Sequence, residues 1–161
     1  MTAATDPQVT GGCTCRAVRY AMRDKPLIVH CCHCRWCQRE SGAAFALNAL
    51  IEADRMELLE GAPEVIMTPS ASGKGQKMNR CPRCRVTVWS TYAGAGDALR
   101  FVRVGTLDDP DAFPPDIHIF TESKQPWVVL PAGARAVSQY YKSAEVWSPE
   151  SLARRRILLG G

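Results

Sequence analysis

The sequence predicts a mainly β protein with a short C-terminal helix, and three observations carry that expectation. Short apolar or alternating runs recur through the centre of the chain. Turns rich in Gly, Pro and Asp separate them. One stretch near the C-terminus carries both a helix start and a helix stop signal. With 161 residues, 46% apolar and 22% charged, the chain has the size and composition of one globular domain.

The expected strands are residues 18–22, 26–31, 45–51, 56–61, 64–68, 86–92, 99–107, 116–120 and 127–130. Turns are expected at 61–63, 69–75, 94–96 and 108–115. Many short strands at this spacing argue for a sandwich or folded sheet. In the last segment Ser148 can cap a helix, Pro149 suits its first turn and Gly160 stops it. Arg154, Arg155 and Arg156 then fall near the helix end, where cations are favoured, and read as a solvated helix end. The stretch SASGKGQK at 70–77 lacks the spaced glycine and the Ser or Thr of a phosphate loop and reads as a turn. Residues 8–147 read as a β domain and 148–161 as its C-terminal helix and tail.

The formal charge of +4 is modest and not gathered into a basic stripe, which argues against nucleic-acid binding. No apolar run is long enough to cross a bilayer, and the first twelve residues do not resemble a secretory signal. A cytoplasmic protein is therefore expected, with thiols kept reduced. In that setting clustered cysteines hold metal more often than they form disulfides.

The eight cysteines fall into two groups. Cys13 and Cys15 form Cys-x-Cys, and Cys81 and Cys84 form Cys-x-x-Cys. Two such halves supply four thiolates, which suits a closed tetrahedral structural zinc. The second group lies in HCCHCRWCQRESG, residues 30–42. Cys32, Cys34 and Cys37 give three ligands and leave one coordination position open, as a zinc that does chemistry requires. Arg35 and Arg39 are near in sequence and could offset the thiolate charge, and Trp36 could shield the metal or line a pocket. Strand alternation points Cys31 to the opposite face, as a buried small apolar residue, and is expected to separate His30 and His33 from the sulfurs.

The segments GGCTCRAVRY, CHCRWCQRESGAAF, CPRC, GTLDDP, PDIHIF and PW occur in that order from Gly11 to Trp127. This series resembles the glutathione-dependent formaldehyde-activating enzyme family, which includes the domain of centromere protein V. The resemblance implies a β-tent of small antiparallel sheets stapled by zinc. It implies two zinc ions per chain, a structural one on Cys13, Cys15, Cys81 and Cys84 and a second on Cys32, Cys34 and Cys37. The implied activity is that of a carbon–sulfur lyase, run in the direction that joins formaldehyde to the thiol of glutathione. Where the family often has Gly, this chain has Arg16 and Arg85, which bears on turn geometry beside the first ion.

A thiol bound to zinc loses its proton and could attack a nearby aldehyde carbon. His118 is the one histidine outside the cysteine cluster and a candidate proton shuttle, though a structural role suits it as well. Asp108 and Asp109 most simply begin a turn, with a substrate-amine contact as the other reading. The rival function is a non-catalytic zinc module for protein binding, its second metal closed by Cys31 or His33. The expected partners are a small thiol and an aldehyde, and homodimerisation is left open.

Overall fold

In a computed structural model, which describes residues 8–94 and 96–160, ten strands form two sheets. Residues 1–7, Ala95 and Gly161 lie outside the described residues. With them go most of the N-terminal stretch read above, the middle of the 94–96 turn and the last residue of the tail.

The strands are β1 (Val9–Gly12), β2 (Arg19–Met22), β3 (Ile28–Cys32), β4 (Ala46–Glu52), β5 (Met56–Glu60), β6 (Glu64–Thr68), β7 (Gln76–Arg80), β8 (Thr87–Tyr92), β9 (Leu99–Arg103) and β10 (Ile117–Ile119). The helices are α1 (Arg35–Ser41), α2 (Ser143–Val146) and α3 (Pro149–Leu158). A three-stranded sheet runs β1-β2-β5, and a seven-stranded sheet runs β10-β3-β4-β9-β8-β7-β6. Every neighbouring pair is antiparallel except β10 with β3, which is parallel. The protein is mainly β, as expected, although the larger sheet is wider than a set of small antiparallel sheets suggests.

The large sheet has a different apolar core on each face, and side-chain alternation assigns residues to them. Val29 of β3, Ala49 and Ile51 of β4 and Val102 of β9 pack with Val18, Tyr20 and Met22 around β2 of the small sheet. Tyr20 meets Trp89 edge to face at 5.8 Å. On the opposite face Ile28 and Cys32 of β3, Ala46 and Leu50 of β4 and Leu99 of β9 pack with Trp147, Val146, Leu152 and Leu158 from the C-terminal segment.

The helix α3 begins where its cap predicts. Ser148 Oγ accepts from the Ser151 N–H at 3.1 Å, and Pro149 follows at the first position. Its arginine run is not simply solvated. Arg154 is 9% exposed and donates twice to Glu52, itself 5% exposed, from Nε at 2.8 Å and Nη2 at 2.5 Å. It also donates to the Lys25 carbonyl at 2.9 Å. Arg154 thus clamps α3 to β4, while Arg156 faces solvent.

Residues 127–130 form no strand. Pro126 and Pro131 bracket them, and Trp127 (70% exposed) and Val129 (88% exposed) lie on no sheet. Conversely β1 and β7 form where no strand was expected. In β1, Gly11 lets the strand pass against Tyr20, since a Cβ there would stand 2.6 Å from the Tyr20 hydroxyl. The segment Gln76–Arg80 is polar in sequence but sits between β6 and β8, paired on both sides.

Candidate metal centre and cavity

Cys13 and Cys15 lie in the connection between β1 and β2, and Cys81 and Cys84 in that between β7 and β8. The two turns are alike. The Cys13 N–H donates to the Val18 carbonyl at 3.1 Å, and the Cys81 N–H to the Val86 carbonyl at 3.0 Å. Each turn contains an arginine with positive φ, Arg16 at 62° and Arg85 at 64°. The four sulfurs converge, all within 4.8 Å of one another. Cys15 Sγ is 3.6 Å from Cys13 Sγ and 3.7 Å from Cys81 Sγ. Four thiolates on tetrahedral zinc, each at about 2.3 Å, require about 3.8 Å between sulfurs, so the quartet fits that ion. Backbone N–H groups of Cys15 and Val86 pull the Cys84 thiol down to about 6, and burial pushes the Cys13 thiol up to about 11.

Cys32, Cys34 and Cys37 lie at the other core. Cys32 ends β3, Cys34 caps α1, and Cys37 sits in the first turn of α1. Cys34 Sγ accepts from the Cys37 N–H at 3.3 Å. This third cysteine returns on a helix, where a turn was expected. The trio also lies within 4.8 Å. Hydrogen bonds from Cys32 and Cys37 hold the Cys34 thiol down to about 2, and the same contact with Cys34 pushes the Cys32 thiol up.

The trio forms part of the wall of a cavity of about 820 Å³. Trp36, Tyr92, Phe101, Tyr140, Tyr141 and Trp147 line much of it, so its interior is aromatic. Lys74, Lys142 and Arg155 also line it, and Lys74 and Lys142 are exposed to solvent. Arg35 and Arg39 border a separate depression beside Gln125 and Trp127. The contact with Cys32 lowers the Cys37 thiol, but the contact with Cys34 and burial outweigh it and push the thiol up to about 12; the charge of Arg103, which donates to Asn48 Oδ1 in the cavity wall, offsets only part of that rise.

His30 lines the same cavity, contrary to the expectation that alternation removes it from the sulfurs. His30, Cys32 and Cys34 share one parity, so the alternation places them together. Trp147 Nε1 donates to Tyr141 Oη at 2.8 Å, and that oxygen lies 2.5 Å from His30 Nε2. An indole N–H can only donate, so the Tyr141 hydroxyl proton is free to reach His30 Nε2. Burial lowers His30 to about 4, which keeps it neutral near pH 7.

Cys31, His33 and His118 do not line this cavity. They gather on the opposite face of β3. Asp108 likewise lies elsewhere: it accepts from Thr10 Oγ1 at 2.5 Å and from Arg19 Nη1 at 2.8 Å, and Arg19 holds its carboxyl below the usual range. Asp109 accepts from the Asp111 N–H at 3.2 Å and begins the turn, as expected.

Residues 8–123 match the family model of the glutathione-dependent formaldehyde-activating enzyme. The chain belongs to this family. A crystal structure of a Rhodobacter sphaeroides protein is similar at 18% identity and a TM-score of 0.49, covering 64% of this chain and 93% of that one. Among the described residues of this formaldehyde-activating family member, no helix is long and apolar enough to cross a membrane.

Proposed function

We propose that the protein is a zinc-dependent carbon–sulfur lyase that joins a small thiol, glutathione or one similar, to formaldehyde or another small aldehyde. The observation that carries this reading is the convergence of Cys32, Cys34 and Cys37 on the wall of the aromatic cavity. Family membership points the same way.

Cys32, Cys34 and Cys37 would hold the reactive ion, and Cys13, Cys15, Cys81 and Cys84 a structural one. Zinc held by the trio supplies the positive charge that keeps a bound thiol in its thiolate form. The remaining work falls to the protein. Lys74, Lys142 and Arg155 can attract the carboxylates of a peptide thiol to the cavity. The aromatic walls exclude water and hold the reactants in one orientation, which lowers a bimolecular barrier. Tyr141, whose hydroxyl lies against neutral His30 Nε2, is placed to relay the thiol proton to His30 and to return it to the aldehyde oxygen. One carbon–sulfur bond forms, and the thiol proton ends on the new hydroxyl. A protein-binding module with a closed second metal is the poorer reading, because Cys31 and His33 face away from the trio.

The test is exchange NMR on formaldehyde and glutathione with the zinc-loaded protein. The protein should accelerate formation of the S-hydroxymethyl adduct above the spontaneous rate, and Cys34→Ser should abolish the acceleration. Equal rates with and without protein, for glutathione and for simpler thiols, would overturn the proposal.

A further inference from the structure

The stretch HCCHC alternates two donor sets along one extended segment. Its even positions feed the cavity. Its odd positions, Cys31 and His33, point to the other face and are 1% and 0% exposed. The parallel strand β10 places His118 directly opposite Cys31 in the pairing register. His118 is 8% exposed. His33 Nε2 lies 3.0 Å from His118 Nδ1 and 3.5 Å from Cys31 Sγ. Three donor atoms, each able to ligate a metal, thus lie within 4.8 Å of one another.

Hydrogen bonding alone explains this cluster poorly. A neutral imidazole nitrogen holds either one proton or one lone pair. His33 Nε2 nevertheless approaches two partners at once. A single cation would use the lone pairs of Cys31, His33 and His118 together. Tetrahedral zinc with Zn–S about 2.3 Å and Zn–N about 2.0 Å sets roughly 3.5 Å between sulfur and nitrogen and roughly 3.3 Å between nitrogens. The observed spacings are near both values.

The donors are also held in place. The His33 N–H donates to the Ile119 carbonyl at 3.0 Å. The His33 carbonyl accepts from Gln38 Nε2 at 2.7 Å and Ser123 Oγ at 3.1 Å. The His118 N–H donates to the Arg135 carbonyl at 2.8 Å, and its carbonyl accepts from the Val137 N–H at 2.9 Å. Such backbone restraint preorganises ligands.

We propose that Cys31 Sγ, His33 Nε2 and His118 Nδ1 form a third metal site, which takes a zinc-class transition-metal ion and fastens the edge strand β10 to β3. One sulfur and two imidazole nitrogens suit zinc, cobalt or copper and disfavour magnesium and calcium. The ion would brace, from behind, the strand that carries Cys32. The site does not depend on the activity proposed above.

The decisive measurement uses the full chain reconstituted with ¹¹³Cd and labelled with ¹⁵N-histidine. Three cadmium resonances are expected, one per cluster. One of them should couple to His33 Nε2 and His118 Nδ1 and lie apart from the two all-sulfur signals. His118→Ala should lose that resonance and one metal equivalent per chain while both all-sulfur resonances persist. Cys34→Ser should do the converse, sparing the nitrogen-coupled signal. Two resonances in the wild-type protein, with no cadmium coupling to histidine nitrogen, would overturn the proposal even if the His118 variant failed to fold. Loss of adduct formation with an intact nitrogen-coupled signal would count against the proposed function alone.

Discussion

The quartet and the trio serve the two faces of the large sheet, and they differ in what surrounds the sulfurs. The quartet joins two turns, one from each sheet, with sulfurs 3.6 and 3.7 Å apart, and none of its cysteines lines the aromatic cavity. The trio is carried by one strand end and one short helix, with aromatic side chains and open space beyond it. Four ligands from distant turns make an ion part of the fold. Three ligands from one contiguous segment can hold an ion that the fold does not need. The difference leads to the expectation that the separation of ligands along the chain, more than their number, sets what a bound metal would contribute to stability.

The largest effect is expected on removing one sulfur from each cluster. A structural zinc contributes roughly 10–16 kcal/mol, about as much as the whole net stability of a domain, roughly 5–15 kcal/mol. Cys81→Ser should therefore abolish cooperative thermal unfolding. Cys34→Ser should melt within a few degrees of wild type and lose adduct formation. Equal destabilisation by both substitutions would end the distinction.

A smaller effect is expected where α3 closes the cavity side. Arg154→Ala removes the two close hydrogen bonds to buried Glu52 and leaves it the longer contact with Arg55 at 3.4 Å, which should cost about 1.5–3 kcal/mol in denaturant unfolding. Because Arg155, Leu158 and Leu159 line the cavity, this variant should also weaken thiol binding while the quartet keeps its metal.

Tyr141→Phe acts at the trio alone. Loss of the contact to His30 should lower the adduct-forming rate roughly 10- to 100-fold and stability by only about 1 kcal/mol.

At the quartet, Arg16→Gly and Arg85→Gly relieve left-handed backbone. Such a conformation costs a residue with a Cβ about 1–2 kcal/mol, and glycine's greater unfolded freedom returns about 0.4–1 kcal/mol. Each substitution should raise stability by roughly 0.5–1 kcal/mol, read as a higher melting temperature, with no change in adduct formation.

The smallest effect concerns acid. Arg19 and Thr10 hold the Asp108 carboxyl below its ordinary 3.8, so the pair stabilises the fold above that value, and the contribution is lost as pH falls through the lower, folded-state value. Asp108→Asn should be slightly less stable than wild type near pH 6, and the two stability curves should converge in acid. A gap that widens in acid would contradict the assignment.

Much of this comparison is legible in the sequence, because it rests on local spacing. The i, i+2 relation of Cys32 and Cys34 follows from strand alternation, and the spacing of the two distant cysteine pairs already suits a shared cluster. What depends on non-local pairing is not legible. Nothing near His118 reveals that β10 runs parallel to β3, and so nothing shows that His118 meets Cys31. His30 was within reach, since its even parity already aligns it with Cys32. The helix α1 is too short, at seven residues, to show a period, and its first turn is occupied by metal-ligand types. Arg154 could not be told from its neighbours without knowing that Glu52 is buried.

The order in which ligands leave the ribosome carries a further consequence. Cys31, Cys32, His33, Cys34 and Cys37 emerge together, long before His118. A nascent chain thus offers five adjacent donors to any free cation before a pleat exists to sort them. The annealing of β3 onto β4 performs that sorting, turning alternate donors to opposite sides. A cation that arrives before that pairing would meet both donor sets at once, and one that arrives after it would meet only one.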